Sequence, residues 1–445
     1  MAGNFEQEDL PVLIIGAGTC GLAIAHGLHI NNIPYKLFEK DSALGTRNNR
    51  DWAFGCHWSR PILASLLGPA GWARVERAAL VDPGLPRVET DVINVFNGAT
   101  GERAGAVPTP GVSRFLRSRL RGLIAEGIGG SEGVAEFGKT VVGVSYEYGD
   151  GSKTRKSVTA HFGDGTSARG RLLIGADGSQ SALRSILLGA PAASLKRLSL
   201  VSTFINATYP HELALYLRSF HPIFNLILHP ENMVGFLGTL DAADPDKPET
   251  WRFTFYISWP SDLEEQAANK EKERGWGVKE RLRQIRERAR GWGEPLRSAF
   301  EGLEEDHAEV YYGALADWDP SLEGHAWDNR GGLVTLVGDA AHPMTYHRGQ
   351  GLNHALADAG KLVELLSHAN NTTNTTNPHK SQADLITAYE TEMRARAGAE
   401  VRLSEMNSIM LHDYARVSES PLMKQGMSIG TGHGGEGGEG KTAAE

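Results

Sequence analysis

The feature that most constrains this chain is Gly16-Ala17-Gly18-Thr19-Cys20-Gly21, because it directly follows the apolar run Val12-Leu13-Ile14-Ile15 and opens a small-residue segment, Cys20 to Ile30. A second run, Tyr35-Lys36-Leu37-Phe38, comes next. Strand, glycine turn, helix and strand make a βαβ unit in which each glycine has its own task. Gly16 permits the tight turn, Gly18 lets the backbone approach a pyrophosphate, and Gly21 lets helix and strand pack closely, while the helix N-terminus supplies positive partial charge. Glu39, at the end of the second strand, is placed to accept hydrogen bonds from a ribose diol. A glycine turn without a ligand is the competing reading, and strand, helix and acid together disfavour it. Whether the dinucleotide is NAD or FAD stays open at this point. Gly435-x-Gly437-x-x-Gly440, near the other end, has no strand before it or helix after it and carries no such meaning.

The buried-strand pattern returns far downstream in Leu333-Val334-Thr335-Leu336-Val337, followed by Gly338-Asp339-Ala340-Ala341-His342-Pro343 and then by Gly349-Gln350-Gly351-Leu352-Asn353 at the start of a small-residue helix. Between the two glycine motifs lie Leu173-Ile174-Gly175-Ala176-Asp177-Gly178-Ser179 and the basic run Arg117-Ser118-Arg119-Leu120-Arg121. These four motifs, in this order and spacing over residues 10 to 410, resemble those of the class A FAD monooxygenases, the flavoprotein aromatic hydroxylases related to para-hydroxybenzoate and salicylate hydroxylase. The resemblance implies FAD as cofactor and NADPH or NADH as co-substrate, with O2 and an organic small molecule as the other partners. Residue by residue, it implies that Glu39 holds the adenosine ribose, that Arg47, Arg117 and Asp177 serve the FAD site, and that Asp339 bonds the ribityl hydroxyls. Gly349, Gly351, Leu352 and Asn353 would then bring backbone to the flavin ring. Physical chemistry supports the last point independently: reduced flavin is negative at one edge, and unpaired amides at a helix N-terminus suit that edge. Asp339 also fits a helix N-cap, and the two roles are compatible.

One position departs from the family, which usually has proline where this chain has Tyr346, within Met344-Thr345-Tyr346-His347-Arg348. A fungal subgroup resembles the present form, which implies a secondary-metabolite substrate. Tyr346, His57 and His347 are the catalytic candidates. Against this, a lone histidine among aromatics, as His57 is in Arg50-Asp51-Trp52-Ala53-Phe54-Gly55-Cys56-His57-Trp58, is more often a packing residue, and the Tyr346 ring can pack under its loop with its hydroxyl idle. The family's usual outcome is hydroxylation; epoxidation and Baeyer–Villiger insertion use the same cofactor chemistry. A reductase on the same scaffold, or a non-catalytic flavoprotein sensor, is the alternative.

A chain of 445 residues exceeds what one core fills, so more than one domain is expected. The expectation is an α/β fold: a Rossmann-like FAD-binding domain of the glutathione-reductase type (8–80, 105–190 and 325–368), interleaved with a mainly antiparallel β-sheet substrate domain (81–104 and 191–324). C-terminal helices (380–418) and a disordered glycine-rich tail (419–445) complete it. A helix is expected over Val112 to Glu126, and strands without interrupting helices from Leu198 to Trp259. Lys279 to Arg290 reads as a solvated helix face and Asn370 to Pro378 as a loop whose sequons arise by chance. A net charge of −9 argues against nucleic acid. No apolar run approaches a membrane span. Cys20 and Cys56 suit neither a disulfide framework nor a metal site. With no signal peptide in MAGNFEQEDL, a cytoplasmic monomer or homodimer without metal is expected.

Overall fold

A computed structural model describes residues 10–45, 51–84, 92–129, 133–148, 155–371 and 381–427. Its strands are β1 Val12–Ile15, β2 Tyr35–Phe38, β3 Ala53–Cys56, β4 Val92–Asn97, β5 Arg103–Pro108, β6 Ser113–Leu116, β7 Val141–Tyr148 and β8 Arg155–Phe162. They continue with β9 Ser167–Gly170, β10 Leu172–Gly175, β11 Lys196–Thr208, β12 Phe224–His229, β13 Met233–Asp241, β14 Arg252–Pro260, β15 Ala308–Asp317 and β16 Val334–Leu336.

Four of them, in the order β16-β10-β1-β2, form a parallel sheet. Every described side chain of β1, β10 and β16 is buried, as expected for strands covered on both faces. Ile15 pairs with Gly175 and with Phe38, and Gly175 pairs with Leu336, so the strands end level with one another. Three of the loops leaving those ends are the two glycine motifs and the Asp177 turn, and the fourth begins with Glu39, whereas the Arg117 run follows β6 of a separate two-stranded ribbon. Helices Thr19–Ile30 and Gly351–Asn371 pack together on one side of this sheet, with the kinked helix Arg60–Ala78 against both.

A seven-stranded sheet, β15-β11-β14-β13-β12-β4-β5, forms the second layer and is antiparallel except at β12–β4. The boundary expected at residue 104 falls inside β5, which belongs to this sheet. Smaller sheets are β3–β6 and β7–β8–β9. Among the described residues no helix is long and apolar enough to cross a membrane.

Three further expectations need correction. The helix expected from Val112 begins only at Arg117, because Ser113–Leu116 pairs with Ala53–Cys56 as an extended ribbon first. A helix, His211–Phe220, does interrupt the strand-rich region, burying Ala214 and Leu217 one turn apart. The segment taken as disordered tail contains the helix Pro421–Gln425, capped by Ser420, with Leu422 and Met427 in a hydrophobic cluster with Ile93, Val107 and Leu411. Arg47, the Gly435 motif and all of Asn370 to Pro378 beyond Asn371 lie outside the described residues.

Candidate active site

Gly16 has φ +107°, and a Cβ there would meet the Ala176 carbonyl at 2.4 Å, so the first turn presses against the exit of β10. At Gly21 a Cβ would lie 2.0 Å from the Gly16 carbonyl oxygen. Only glycine fits either place. Above Gly18 the nearest atom would be 4.0 Å away, which leaves open room beside the first turn of helix Thr19–Ile30; no side chain caps that turn. A free helix N-terminus with space above it suits a pyrophosphate. Glu39, 7% exposed, accepts from Ala17 N at 2.8 Å and Asp41 N at 3.0 Å. The arginine that reaches this loop is Arg121, whose Nε donates to Ala17 O at 3.0 Å; Arg117 stands 4.3 Å over the Trp52 ring.

Asp177 accepts from Ser181 Oγ at 2.5 Å and Leu183 N at 3.1 Å, so it organises the start of helix Ala182–Leu188. From that helix, buried Arg184 donates to Ala340 O at 2.9 Å and Ser179 O at 2.6 Å, clamping the Asp177 loop to the Asp339 turn. Asp339 projects from the 3₁₀ turn Gly338–Ala340 with its side chain open to the cleft. The surrounding walls push its pKa up by desolvation, against the attraction of His342 and Arg184. Gly349 takes the left-handed conformation, φ +63°, that turns the chain into helix Gly351–Asn371. A Cβ on Gly351 would lie 3.9 Å from Asp339 Oδ1, so the carboxylate and the helix N-terminus share one corner.

Behind that corner stands a buried scaffold. Asp358 accepts from Gly338 N at 2.8 Å, from His342 Nε2 at 2.6 Å and from Arg396 Nη2 at 2.7 Å. Burial alone would raise its pKa, but His342 and Arg396 outweigh it and hold Asp358 ionised. Leu352 is buried, and Asn353, fully buried, donates to Gly55 O and Gly349 O and accepts from His57 N and Ser59 Oγ. His57 Nε2 lies 3.0 Å from Asn353 Nδ2. Burial, then Arg348, push the His57 pKa down to about 4, which keeps the ring a neutral acceptor.

The cleft opens into a cavity of about 940 Å³ bounded by Asp339, Arg184, Ser202, Phe204, Tyr311 and Tyr346. Val201, Ser202 and Phe204 of β11 and Tyr311 and Tyr312 of β15 form its sheet wall, and beside Phe204 register puts Tyr256 and Phe236 on the same face of the sheet. Tyr256 and Phe236 stack at 5.2 Å, and Tyr346 stands edge-on over Phe204 (5.0 Å) and Tyr256 (5.2 Å). The Tyr346 hydroxyl is sealed between Ser202 and Ser258 without a hydrogen bond of ordinary geometry, and burial raises its pKa. His347 is buried behind Tyr346, with Nδ1 at 2.8 Å from Ser408 Oγ and Nε2 at 3.3 Å from Ser258 Oγ. Burial, then His412, hold its pKa low. The structure thus brings Gly16, Gly18, Gly21, Glu39, Asp177 and Asp339 to the ends of the parallel strands with Gly351 beside Asp339, puts Tyr346 on the cavity wall and His347 among packing contacts, and puts His57 against Asn353 at the edge of a second cavity lined by Trp58 and Trp72. Sequence reasoning missed Arg121, Arg184 and Asp358. Arg121 lies inside the basic run, and Asp358 lies seven positions beyond Gly351, on the same helix face.

A parallel sheet whose strand ends carry a tight glycine turn at an uncapped helix N-terminus and two carboxylates, Glu39 and Asp339, beside a second sheet that walls a cavity, suits a dinucleotide cofactor. The family described as "FAD binding domain" matches residues 320–404. The FAD-dependent monooxygenase phnB of Penicillium herquei is 34% identical over 427 residues, covering 95% of this chain and 96% of the relative. The FAD-dependent monooxygenase cctM of Talaromyces islandicus is 33% identical over 416 residues, covering 94% and 96%. The fold is shared with Klebsiella pneumoniae HpxO complexed with FAD and uric acid (TM-score 0.69, 20% identity, 96% and 98% covered) and with a salicylate hydroxylase substrate complex (TM-score 0.61, 21% identity, 95% and 92% covered). The chain belongs to the FAD-dependent monooxygenases and sits among fungal members of that family.

Proposed function

We propose that this monooxygenase uses NAD(P)H and O2 to insert one oxygen atom into an organic small molecule, by hydroxylation, epoxidation or Baeyer–Villiger insertion, and that the substrate is a fungal secondary-metabolite intermediate. The observation that carries the reading is the corner where Asp339 meets the N-terminus of helix Gly351–Asn371 at the mouth of an aromatic-walled chamber. When bound, FAD supplies the redox chemistry, taking a hydride from NAD(P)H and passing one atom of O2 to the substrate while the other leaves as water. The chain's own work is binding, orientation and exclusion of water. Gly16, Gly18 and Gly21 hold the pyrophosphate, Glu39 the adenosine ribose and Asp339 the ribityl hydroxyls. The first amides of helix Gly351–Asn371 stabilise negative charge at the ring edge. Asp177 and Arg184 fix the wall between the two motifs. Tyr346, with Phe204 and Tyr256, closes the chamber against water.

The test is an oxygen electrode with NADPH or NADH and a panel of fungal secondary metabolites. One compound should raise oxygen consumption and gain one oxygen atom per NAD(P)H oxidised. Flavin reduction with no oxygenated product from any compound would overturn the reading.

A further inference from the structure

The cavity of about 940 Å³ carries more positive than negative charge on its walls, although the chain as a whole has a net charge of −9. Arg184, Arg197, Lys270 and Arg281 line it against Glu273 and Asp339. Two of these cations already face a carboxylate. Arg281 Nη1 donates to Glu273 Oε2 at 2.6 Å, and Arg184, which grips the Asp339 turn, attracts the Asp339 carboxylate. Arg197 and Lys270 are exposed, and neither has an ion pair or a side-chain hydrogen bond among the described residues.

The fold brings these two to one rim. Gln266 Nε2 donates to Leu198 O at 2.9 Å and Ser261 O at 2.8 Å, which pins helix Leu263–Lys272 across the start of β11. Arg197 directly precedes the gripped residue, and Lys270 stands one turn beyond Gln266 on the same helix face. The pairing of β11 with β15 slips between Arg197 and Val201, a bulge of the kind that re-aims a side chain beside a site. Leu198 and Leu200, by contrast, turn into the cluster with Leu315 on which Tyr346 packs. The cavity thus has an aromatic wall at Phe204 and Tyr346 and a cationic rim at Arg197 and Lys270.

Cations held apart from any carboxylate on an acidic protein draw in a polyanion, and an arginine fork beside a lysine point charge suits a phosphate. On the functional reading above, the pyrophosphate of FAD sits at the Gly16–Gly21 turn. The other phosphate-bearing reactant is the nicotinamide dinucleotide.

We propose that Arg197 and Lys270 bind a phosphate of the nicotinamide dinucleotide, so that the reductant enters this cavity across its cationic rim and leaves before the organic substrate is oxygenated. The proposal rests on the monooxygenase reading for the identity of the reductant and adds the residues that dock it. Two groups of the dinucleotide offer the same phosphoryl oxyanions: the 2′-phosphate, present in the NADP form alone, and the pyrophosphate common to both forms.

The test is calorimetric titration of oxidised, FAD-loaded enzyme with NADP+, NAD+ and 2′,5′-ADP. Arg197→Gln and Lys270→Gln should each weaken NADP+ binding about fivefold, and the double variant about 20-fold, with flavin content unchanged. A loss for NADP+ and 2′,5′-ADP that spares NAD+ assigns the 2′-phosphate, and an equal loss for NADP+ and NAD+ assigns the pyrophosphate. Lys272→Gln removes the same charge from the same helix outside the cavity lining, and it should leave all three affinities within about twofold. Unchanged affinities in the double variant, no nucleotide binding by wild type, or an equal loss in Lys272→Gln overturns the proposal. The titration involves no turnover, so failure of the monooxygenase reading would show at the electrode and failure of this one in the heats of binding.

Discussion

Asp339 is a carboxylate held in a walled corner that raises its pKa, and hydroxyl donors from a ligand would relieve that cost. Asp339→Ala should therefore weaken FAD binding at least ~10-fold, the equivalent of one hydrogen bond to a charged group, read as flavin absorbance retained after gel filtration. Equal flavin content in variant and wild type would remove Asp339 from the ribityl chain. Tyr346 leads to a different expectation. Its hydroxyl is buried with no well-formed partner, so Tyr346→Phe should melt at the same or a higher temperature and keep product coupling within about twofold, whereas Tyr346→Ala should open the cavity wall and release more hydrogen peroxide. A large coupling loss in Tyr346→Phe would give the hydroxyl a chemical part after all. At this scale the motif residues were legible because turn, cradle and acid sit close in sequence. Arg184 was not, since Ala340, whose carbonyl it grips, lies 156 positions away in the chain.

Among the elements, the C-terminal segment has the most to test. Leu422 N donates to Asn407 Oδ1, Met427 O accepts from Gln350 Nε2, and a Cβ on Gly426 would lie 2.5 Å from Pro108 O, so helix Pro421–Gln425 and the residues after it strap the 346–351 loop down. Burial of Leu422 and Met427 contributes about 2 kcal/mol each. Truncation after Glu419 should lower the melting temperature and the flavin content together, while truncation after Gly430 should change neither. Thermal melts and flavin absorbance on the two truncations decide it, and indifference to the loss of 420–427 would reduce the strap to a passenger. Composition hid this helix, because glycine dominates the residues just beyond it. Apolar content likewise concealed the boundary at Arg117, where only pairing with β3 makes Ser113–Leu116 extended.

For the molecule as a whole, acid should act through buried histidines. Burial pushes His57, His221 and His412 each down to about 4, below the ~6.5 of a free imidazole, so as pH falls below that value the unfolded chain takes up protons the folded one refuses. Their contribution is full above about 6.5 and is lost progressively down to about 4. Asp317, pushed up to about 7 by burial and Glu405, runs the opposite way, which is why the measurement is a difference between proteins. His412→Gln should show a shallower fall in melting temperature from pH 7 to 4.5 than wild type, and parallel curves would show that His412 does not titrate with unfolding. The two-layer architecture was legible because fully apolar runs mark one sheet and Pro- and Gly-punctuated strands the other. The order of strands within each layer was not, since register depends on partners far apart in the chain.

The sheet order β16-β10-β1-β2 also carries a consequence for biogenesis. The central pair β1–β10 is complete once residue 175 has left the ribosome, yet the Asp339 corner waits for β16 and the helix that begins at Gly351. The strands from β11 to β15 are made in between and can pair among themselves first. Cofactor loading is therefore a late event in the life of the nascent chain. Ribosome-stalled chains ending before β16 should leave flavin free in solution, and those with the helix fully emerged should retain it.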